Sequence, residues 1–507
     1  MKRIHLIGVC GTAMATLAAM LKSRGYDVRG SDQNMYPPMS QFLQEQGIAT
    51  LHGYRAEHIT GDLDLVVVGN AISRGNVELE EVLDRKIRHC SLPEAIRDHF
   101  LWGSRSIVIT GTHGKTTTTS LTGWLLAYGG VDPSVLIGGI AENFDSSYRL
   151  GGGRDFVIEG DEYDSAFFDK TAKFLKYLPD IAVVNNIEFD HADVYPDLDA
   201  IKLAFRRFVN LIPRRGLLLL GADNRDALAL KAGALCRVES FGLSDGADWQ
   251  ARDLQVSEMA TVFSVRRGGT PIGTFEVPLL GAYNVRNALA AIAVGAAVGL
   301  NTDTLAEGLR RFRGVRRRLQ HRGTAGGVAV YDDFAHHPTA IAETLAGVRS
   351  AYPGRRIWAI FEPRSATSCR RVFQSDFVRA LSGADVVVLP AVFRSTLPDA
   401  ERLSPEQVVS DLQSEGVDAR YIPQVDDIVR TVVRDTREGD LILVMSNGGF
   451  EDIHSKLLGQ LQQQRGPRQR DTANSEQAQP QSARRVQGQP PHERHTDTPR
   501  SAPSKTS

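Results

Sequence analysis

The 507-residue chain is long enough for about three domains. Its 59 Lys and Arg balance 60 Asp and Glu, which excludes the strongly basic field of a protein that binds nucleic acid or anionic membranes and favours small-molecule partners. Four scattered cysteines, no signal-peptide-like start and no run of about 20 apolar residues together predict a cytoplasmic protein without disulfides or membrane insertion.

Residues 1–104 are predicted to form a Rossmann-like domain that binds a phosphate-containing ligand. A predicted strand at 4–7 leads through a small-residue turn into a helix, and the next strand, at 26–29, is followed by an acidic residue. This order is typical of a pyrophosphate turn and a ribose contact. Met14 stands near the last glycine position of the dinucleotide fingerprint, which disfavours a nicotinamide or flavin ligand. The candidate contacts, the last two of which are also consistent with ordinary turn residues, are Gly11, Thr12, Asp32, Asn70 and Ser73.

The most informative motif lies in residues 105–120, where an apolar strand runs into a turn of Gly, Thr, His and Lys and then into a helix. The glycines let backbone N–H groups approach phosphate oxygens, Lys115 places a cation at the β- and γ-phosphates, and Thr116 offers a hydroxyl to Mg²⁺. The full P-loop spacing is absent because Ile109 stands where its first glycine belongs. The motif still predicts a nucleoside triphosphate site, with candidate contacts Gly111, Thr112, His113, Gly114, Lys115, Thr116 and Thr117.

Two further apolar strands, at 156–158 and 181–184, end in acidic residues. The carboxyl ends of neighbouring parallel strands meet at one edge of a sheet, so these residues are expected beside the phosphate-binding turn. Glu159 and Thr116 are predicted to hold Mg²⁺ together with ATP oxygens. His191 lies between two aspartates, and composition alone favours a helix cap or surface residue over a metal ligand there.

The rest of the chain is predicted to complete the central domain and to form another Rossmann-like domain. Alternating residues at 250–278 indicate antiparallel strands, and a polar turn at 281–287 enters an alanine-rich helix. The basic run at 310–318 is short and lies in a neutral chain, which favours a local anion contact over nucleic acid. Strands that end in polar residues are predicted at 328–331, 357–361, 386–389 and 441–445.

Residues 465–507 are rich in Gln, Arg, Pro, Ser and Thr. Such a segment cannot bury enough apolar surface to offset its chain entropy, so a disordered tail is predicted. The predicted organisation is therefore 1–104, 105–322, 323–464 and the tail at 465–507.

In their order along the chain, these motifs resemble the Mur ligase family, the ATP-dependent amide ligases of peptidoglycan synthesis. The resemblance covers about residues 1–460 and implies an α/β architecture of three domains: a Rossmann-like N-terminal domain, a central P-loop-type ATPase domain and a Rossmann-like C-terminal ligase domain. The segments that carry it are 111–117, 159–162, 186–191, 281–287, 316–318 and 332–338.

Within the family, the segments 8–12, 30–40, 162–170 and 361–365 are similar to members that act in peptidoglycan recycling. The resemblance implies that the carboxylate of UDP-N-acetylmuramate is joined, through an acyl phosphate, to the amine of L-alanyl-γ-D-glutamyl-meso-diaminopimelate, with ATP and Mg²⁺. The first domain would then bind UDP rather than NAD. An L-alanine ligase of the same family and a regulatory protein that senses UDP-muramyl compounds are the alternatives. No obligate protein partner is expected.

The resemblance also implies roles for single residues around the triphosphate. Lys115 would bind the β- and γ-phosphates, and Thr116 with Glu159 would hold one Mg²⁺. His191 would hold a second Mg²⁺, which reverses the interpretation from composition alone.

Further roles are implied outside the phosphate-binding turn. Asn287 would contact adenine, Arg318 would reach the phosphates, and Asp332 would hold the ATP ribose. His336 would either assist removal of a proton from the amine or form structural hydrogen bonds only. Arg364, at the carboxyl end of a strand, is a candidate for a tripeptide carboxylate, with an ordinary surface ion pair as the alternative.

Overall fold

The computed structural model describes residues 2–393 and 397–465. The disordered tail predicted at 465–507 lies outside the described residues, apart from Arg465, the last residue of a helix. Three successive sheets with intervening helices confirm the predicted α/β fold class. Among the described helices, none combines the length and the apolar character needed to cross a membrane.

A parallel sheet with helices between its strands forms the first region. Its elements are β1 (Arg3–Ile7), α1 (Thr12–Ser23), β2 (Asp27–Asp32), α2 (Met39–Glu45), β3 (Ala49–His52), β4 (Leu65–Val68), α3 (Val77–Asp84), β5 (His89–Ser91) and α4 (Leu92–Ile96). The strand order is β3-β2-β1-β4-β5. β4 is buried along its whole length, as expected of a parallel strand covered on both faces. It has the predicted bounds, whereas β2 extends three residues further than its apolar run indicates.

The central region contains a ten-stranded sheet. Its elements are β6 (Arg105–Thr110), α5 (Lys115–Tyr128), β7 (Ser134–Ala141), β8 (Ser146–Arg149), β9 (Asp155–Gly160), β10 (Asp164–Ala166), β11 (Asp169–Ala172), β12 (Ile181–Val184), α6 (Leu198–Val209), β13 (Leu217–Gly221), α7 (Arg225–Ala229), β14 (Arg237–Gly242), β15 (Trp249–Val256), β16 (Thr261–Arg267), β17 (Thr270–Val277), α8 (Ala282–Val298) and α9 (Thr302–Arg310).

The order of this sheet is β17-β16-β15-β14-β13-β12-β6-β9-β7-β8, while β10 and β11 form a separate hairpin. The alternation predicted at 250–278 is confirmed, because β15, β16 and β17 pair antiparallel. β6 lies between β9 and β12, and all three are parallel. The carboxyl ends of these strands therefore meet at one edge, as the sequence predicts.

The third region is a six-stranded sheet in the order β18-β19-β23-β20-β21-β22. Its elements are β18 (Gln320–Ala325), β19 (Val328–Asp333), α10 (Pro338–Ala351), β20 (Ile357–Phe361), α11 (Gln374–Leu381), β21 (Val386–Leu389), α12 (Pro405–Ser414), β22 (Asp418–Tyr421), α13 (Val425–Asp435), β23 (Leu441–Met445) and α14 (Ile453–Arg465). The third sheet begins before the predicted boundary at residue 323, because β18 starts at Gln320 and continues through Gly323, where its register shifts.

A buried carboxylate, Glu78, ties the first sheet to α3. Ser31 donates a hydrogen bond to it, and its oxygens lie 2.6 Å from His58 Nδ1 and 3.2 Å from His5 Nε2. Burial opposes ionisation, but these three polar partners hold the pKa of the Glu78 carboxyl below its usual range. The carboxylate therefore stabilises the sheet–helix contact above the ordinary titration range of a glutamate, and this stabilisation is lost as the pH falls through the lowered pKa.

We expect Glu78→Ala to lower the free energy of unfolding by about 3 kcal/mol, because it leaves a buried hydroxyl and two imidazoles without their acceptor. Glu81→Ala on the same helix removes only a partly exposed ion pair with Arg85, so it should cost less than about 1 kcal/mol. Urea unfolding of the full-length variants at neutral pH measures both changes. Equal destabilisation by the two substitutions would argue against the stabilising role of the Glu78 cluster.

Candidate functional site

A cavity of about 640 Å³ lies where the three regions meet. The first region contributes Thr12 and Thr16 from α1, the central region contributes residues 112–117 of the phosphate loop (residues 111–117), and the third contributes residues 333–337. The predicted site residues that line it are Thr12, Thr112, His113, Gly114, Lys115, Thr116, Thr117, Glu159, His191, Asn287, Arg318 and His336. The predicted site residues outside the lining are Gly11, Gly111, Asp32, Asn70, Ser73, Asp332 and Arg364.

The phosphate loop connects β6 to the N-terminus of α5, and its backbone requires glycine. Gly114 has φ 80°, and a Cβ atom there would overlap Asn287 Oδ1. Gly111 has φ 131°, and a Cβ atom there would lie 3.0 Å from Asn185. Left-handed backbone and close approach both exclude larger side chains. The loop thus directs the N-terminus of α5, which favours anions, toward the cavity.

Lys115 is held between the loop and a carboxylate that the sequence did not single out for a role. Its ammonium donates to Gly111 O at 2.7 Å and lies 2.8 Å from Glu162 Oε2. Burial opposes the charge, but Glu162 and Asp161 raise the pKa of Lys115 above its ordinary value. The ammonium therefore stays protonated beside the phosphate loop. The run of acidic residues after β9 was the available signal for Glu162.

Glu159 and Thr116 form an oxygen-rich pair at the floor of the cavity. Thr116 Oγ1 donates to Glu159 Oε1 at 2.9 Å, and the Gly138 N–H donates to Glu159 Oε2 at 2.7 Å. Burial and the charge of Asp161 raise the pKa of the Glu159 carboxyl. A hydroxyl and a carboxylate whose negative charge the protein compensates only in part fit Mg²⁺, which prefers oxygen ligands.

His191 lies near the Lys115–Glu162 pair. Its Nε2 is 3.4 Å from Glu162 Oε1, and its ring is 5.0 Å from the ring of Tyr163. Its backbone is left-handed, with φ 53°, which is uncommon outside glycine and is typical of constrained functional positions. Lys173 Nζ lies 3.8 Å above the same Tyr163 ring. The structure thus brings His191 to the carboxylate cluster, while its role as a metal ligand stays a prediction.

The third region reaches the central one through Arg318, whose guanidinium donates to Thr116 Oγ1 at 3.0 Å. Asp332 and Asp333, at the end of β19, face opposite sides because side chains alternate along a strand. Asp333 lines the cavity. Asp332 instead lies 3.4 Å from His454 Nε2 and 3.5 Å from Arg317 Nε. The role of Asp332 as the ribose contact stays a prediction.

Asn287 and His336 are fixed by hydrogen bonds at the cavity wall. Asn287 Oδ1 accepts from Thr118 Oγ1 at 3.2 Å, and its amide donates to Asn284 Oδ1. His336 Nδ1 lies 2.9 Å from the carbonyl oxygen of Phe334. Because a carbonyl only accepts, Nδ1 carries the proton. Burial lowers the pKa of His336, so its Nε2 has a free lone pair at neutral pH.

Arg364 stacks on an aromatic ring rather than lining the cavity. Its guanidinium carbon lies 3.6 Å from the centre of the Phe393 ring, and Nη1 is 3.4 Å from Glu362 Oε1. Its neighbour Ser365 lines the cavity. A guanidinium that already has an internal carboxylate partner is consistent with the ion-pair alternative, and the substrate contact stays a prediction.

The predicted contacts of the first region shape its turn and its junction with the central region. Asp32 accepts from the backbone N–H groups of Cys10 at 2.8 Å and Asn34 at 3.0 Å. It therefore fixes the turn that precedes α1. Asn70 donates to Asp164 Oδ1 of the hairpin at 3.4 Å, so it lies where the two regions touch.

The connecting segment, residues 185–192, joins the phosphate loop to the third region. The Thr112 N–H donates to Asn186 O at 3.0 Å. From the other side, Thr339 Oγ1 donates to Glu188 Oε2 at 2.6 Å. These long-range contacts had no signal in the local sequence pattern. The segment also contains His191, so the phosphate loop, the predicted metal ligand and the third region are mechanically linked.

Three family models match successive parts of the chain. They are described as Mur ligase family, catalytic domain, over residues 3–101; Mur ligase middle domain, over 109–295; and Mur ligase, glutamate ligase domain, over 317–448. Apart from the first four residues of β6, the matched regions contain the three sheets that border the cavity.

The chain is also similar to named proteins over most of its length. It is 41% identical to UDP-N-acetylmuramate--L-alanyl-gamma-D-glutamyl-meso-2,6-diaminoheptandioate ligase of Escherichia coli (strain K12), covering 90% of this chain and 97% of that protein. It is 34% identical to UDP-N-acetylmuramate--L-alanine ligase of Caldanaerobacter subterraneus subsp. tengcongensis, covering 90% and 97%. The crystal structure of a murein peptide ligase from Psychrobacter arcticus 273-4 matches with a TM-score of 0.68 and 36% identity, covering 91% and 99%.

Proposed function

We propose that this chain, which belongs to the Mur ligase family, joins UDP-N-acetylmuramate to L-alanyl-γ-D-glutamyl-meso-diaminopimelate at the expense of ATP. The observation that carries the proposal is the single cavity to which a phosphate loop, an oxygen-rich Glu159–Thr116 pair and all three regions contribute. The tripeptide is preferred over L-alanine because of the higher identity to the E. coli tripeptide ligase. ATP and a UDP-linked precursor imply a reaction in the cytoplasm.

A carboxylate must be activated before an amine can attack it, because its charge repels the nucleophile and oxide is a poor leaving group. In the first step, a carboxylate oxygen of the sugar acid attacks the γ-phosphorus of ATP and ADP leaves. In the second step, the peptide amine attacks the acyl carbon, the C–O bond to phosphate breaks and inorganic phosphate departs. The amine proton passes to a base or to solvent.

The protein's task in the first step is to hold two anions in line. Lys115 would neutralise the β- and γ-phosphates after exchanging Glu162 for them, and Arg318 would contribute a second cation from the third region. One Mg²⁺ held by Thr116 and Glu159 and a second held by His191 would supply further charge compensation for the phosphoryl group. Asn287 would contact adenine and Asp332 the ribose. Because an acyl phosphate hydrolyses readily, the meeting of three regions also serves to exclude water.

The remaining predicted contacts are assigned to UDP in the first region and to the tripeptide in the third region. Gly11 and Thr12 would approach the pyrophosphate of UDP, with Asp32, Asn70 and Ser73 near the nucleoside end. Arg364 would bind a tripeptide carboxylate by exchanging its internal partner Glu362 for it.

His336 gives a prediction that separates a base from a structural residue. Its Nε2 lone pair suits proton acceptance from an amine whose unperturbed pKa is about 8. If it is the base, His336→Gln lowers kcat about tenfold to a hundredfold near pH 7, and the loss shrinks above pH 9, where the amine is neutral without help. Amide formation is measured from pH 6.5 to 9.5. A loss of kcat that is constant across this pH range would mean that His336 acts only through its structural hydrogen bond to Phe334.

The proposed reaction is tested by the mass of the product. The enzyme is incubated with ATP, Mg²⁺ and UDP-N-acetylmuramate, with either the tripeptide or L-alanine. The proposal expects the UDP-muramyl-tripeptide mass and ADP, with much slower use of L-alanine. Efficient formation of UDP-N-acetylmuramyl-L-alanine would favour the alternative ligase. Binding of UDP-N-acetylmuramate without phosphate release in either reaction would favour a regulatory protein.

A further inference from the structure

We propose that His113, Glu188 and His337 form a site for a divalent transition-metal ion of the Zn²⁺ class, separate from the magnesium ligands. The three residues come from the phosphate loop, the connecting segment and the N-cap of α10 in the third region. Two imidazoles and one carboxylate are typical Zn²⁺ ligands, whereas Mg²⁺ prefers oxygen atoms.

Two of the three distances between the ligand atoms fit the edges of a tetrahedral site. All three atoms lie within 4.8 Å of one another. Glu188 Oε2 is 3.2 Å from His113 Nε2 and 3.7 Å from His337 Nδ1. Ligands about 2.0–2.2 Å from a tetrahedral Zn²⁺ are about 3.3–3.6 Å apart. Side-chain shifts of a few tenths of an ångström would therefore complete these two edges.

Hydrogen bonding leaves a lone pair on the required atom of His337. Its Nε2 lies 3.1 Å from Phe189 O, so the ring proton is on Nε2 and Nδ1 is an acceptor. Nδ1 is engaged only by the Thr339 N–H, at 3.3 Å, and faces a second acceptor, Glu188 Oε2, at 3.7 Å. A cation bound between His337 Nδ1 and Glu188 Oε2 would remove the repulsion between these two acceptors. It would also take the place of the long hydrogen bond from the Thr339 N–H.

The protonation states at neutral pH also suit metal binding. Burial, together with the charge of His113, lowers the pKa of His337 to about 4. Burial opposes ionisation of Glu188, but His113 and Thr339 lower its pKa to about 2. Because both pKa values lie below 7, neither His337 nor Glu188 must lose a proton to bind the ion at neutral pH. His113 would bind the ion through Nε2, the ring nitrogen that faces Glu188.

The site is reachable from solvent and from the ATP cavity. His113 and His337 line the large cavity, while Glu188 and His337 also line a shallower surface pocket beside α10 and α11. An exchangeable water would complete the fourth position. A bound ion would fasten the phosphate loop to the third region. If the proposed ligase function holds, this clamp would slow turnover, because the third region must separate to release product.

Co²⁺ titration of the full-length protein tests the site without nucleotide, substrate or Mg²⁺. Tetrahedral Co²⁺ has a strong visible absorption that octahedral aqueous Co²⁺ lacks, and Zn²⁺ should displace it. We expect one equivalent to bind to the wild-type protein. His337→Asn keeps an N-cap acceptor for α10 but removes the imidazole, and Glu188→Gln keeps the shape but removes the charge. Each should weaken binding at least about tenfold.

His321→Asn is the matched control, since His321 is an exposed histidine on β18 and its loss should leave the titration unchanged. Thermal unfolding verifies that each variant is folded, and Glu188→Gln decides the test if His337→Asn is not. A wild-type protein without the tetrahedral spectrum would overturn the proposal, as would binding that survives both site substitutions. Because no substrate is present, neither result bears on the ligase reaction.

Discussion

Lys115→Ala is expected to lower the rate of ATP-driven phosphate release by about 10³-fold or more. The substitution removes the cation of the phosphate loop and also leaves the buried Glu162 carboxylate without its lysine partner beside the phosphates. Repulsion between that carboxylate and ATP adds to the loss of attraction. Phosphate release and amide formation, each measured with saturating substrates, should fall together.

Binding of UDP-N-acetylmuramate to the Lys115→Ala variant should change less than about twofold, because separate sites act independently. Calorimetry measures this binding without ATP. Lys202→Ala on α6, which removes an ion pair with Asp226, is the control and should keep both activities. Equal loss of phosphate release and of UDP-substrate binding in Lys115→Ala would contradict the assignment of the two sites to different regions.

Glu159→Gln is expected to lower kcat by about 10²–10³-fold and to raise the Mg²⁺ concentration needed for half-maximal activity. The amide can accept from the Gly138 N–H and donate to Thr116 Oγ1, so it keeps both contacts but loses the charge that Mg²⁺ requires. The unfolding temperature, in contrast to kcat, should not fall. Since burial and Asp161 raise the pKa of Glu159, its charge destabilises the fold at neutral pH, and a neutral side chain relieves this repulsion.

The Glu159→Gln variant without Mg²⁺ should therefore unfold at the same temperature as the wild type or at a higher one. Magnesium titrations of activity and thermal unfolding measure the two effects. Glu307→Gln on α9, which loses only a partly exposed pairing with Arg310 and Arg311, should change neither property. A variant that loses activity in proportion to a lower unfolding temperature would mean that Glu159 is structural.

The sheets could be predicted because their buried strands are short, continuous apolar runs. β4, β12, β20, β21 and β23 have the bounds that these runs indicate. Strands with polar or glycine residues were missed. β7 contains Gly138 and Gly139, and glycine weakens a strand signal. A Cβ atom at 138 would lie 2.8 Å from Glu159 Oε2, so the contact with Glu159 favours glycine there.

The candidate site was located from the expectation that side chains at the carboxyl ends of parallel strands lie close together. The length of β19, however, decided which of its two aspartates faces the cavity. β19 continues two residues beyond its apolar run, so Asp333 rather than Asp332 lines the cavity. Contacts between distant parts of the chain had no local signal. Glu188, which joins the phosphate loop to α10, is the clearest example, since its side-chain partners His113, His337 and Thr339 all lie outside its own segment.

Transfer of labelled oxygen tests most directly the claim that the cavity activates a carboxylate with ATP. UDP-N-acetylmuramate carrying ¹⁸O in both carboxylate oxygens is incubated with the enzyme, ATP, Mg²⁺ and tripeptide, and the phosphate released is weighed. An acyl phosphate predicts one ¹⁸O atom in each inorganic phosphate formed with amide, since the carboxylate oxygen that attacks phosphorus leaves with it. Unlabelled phosphate, or label found in AMP, would contradict this mechanism.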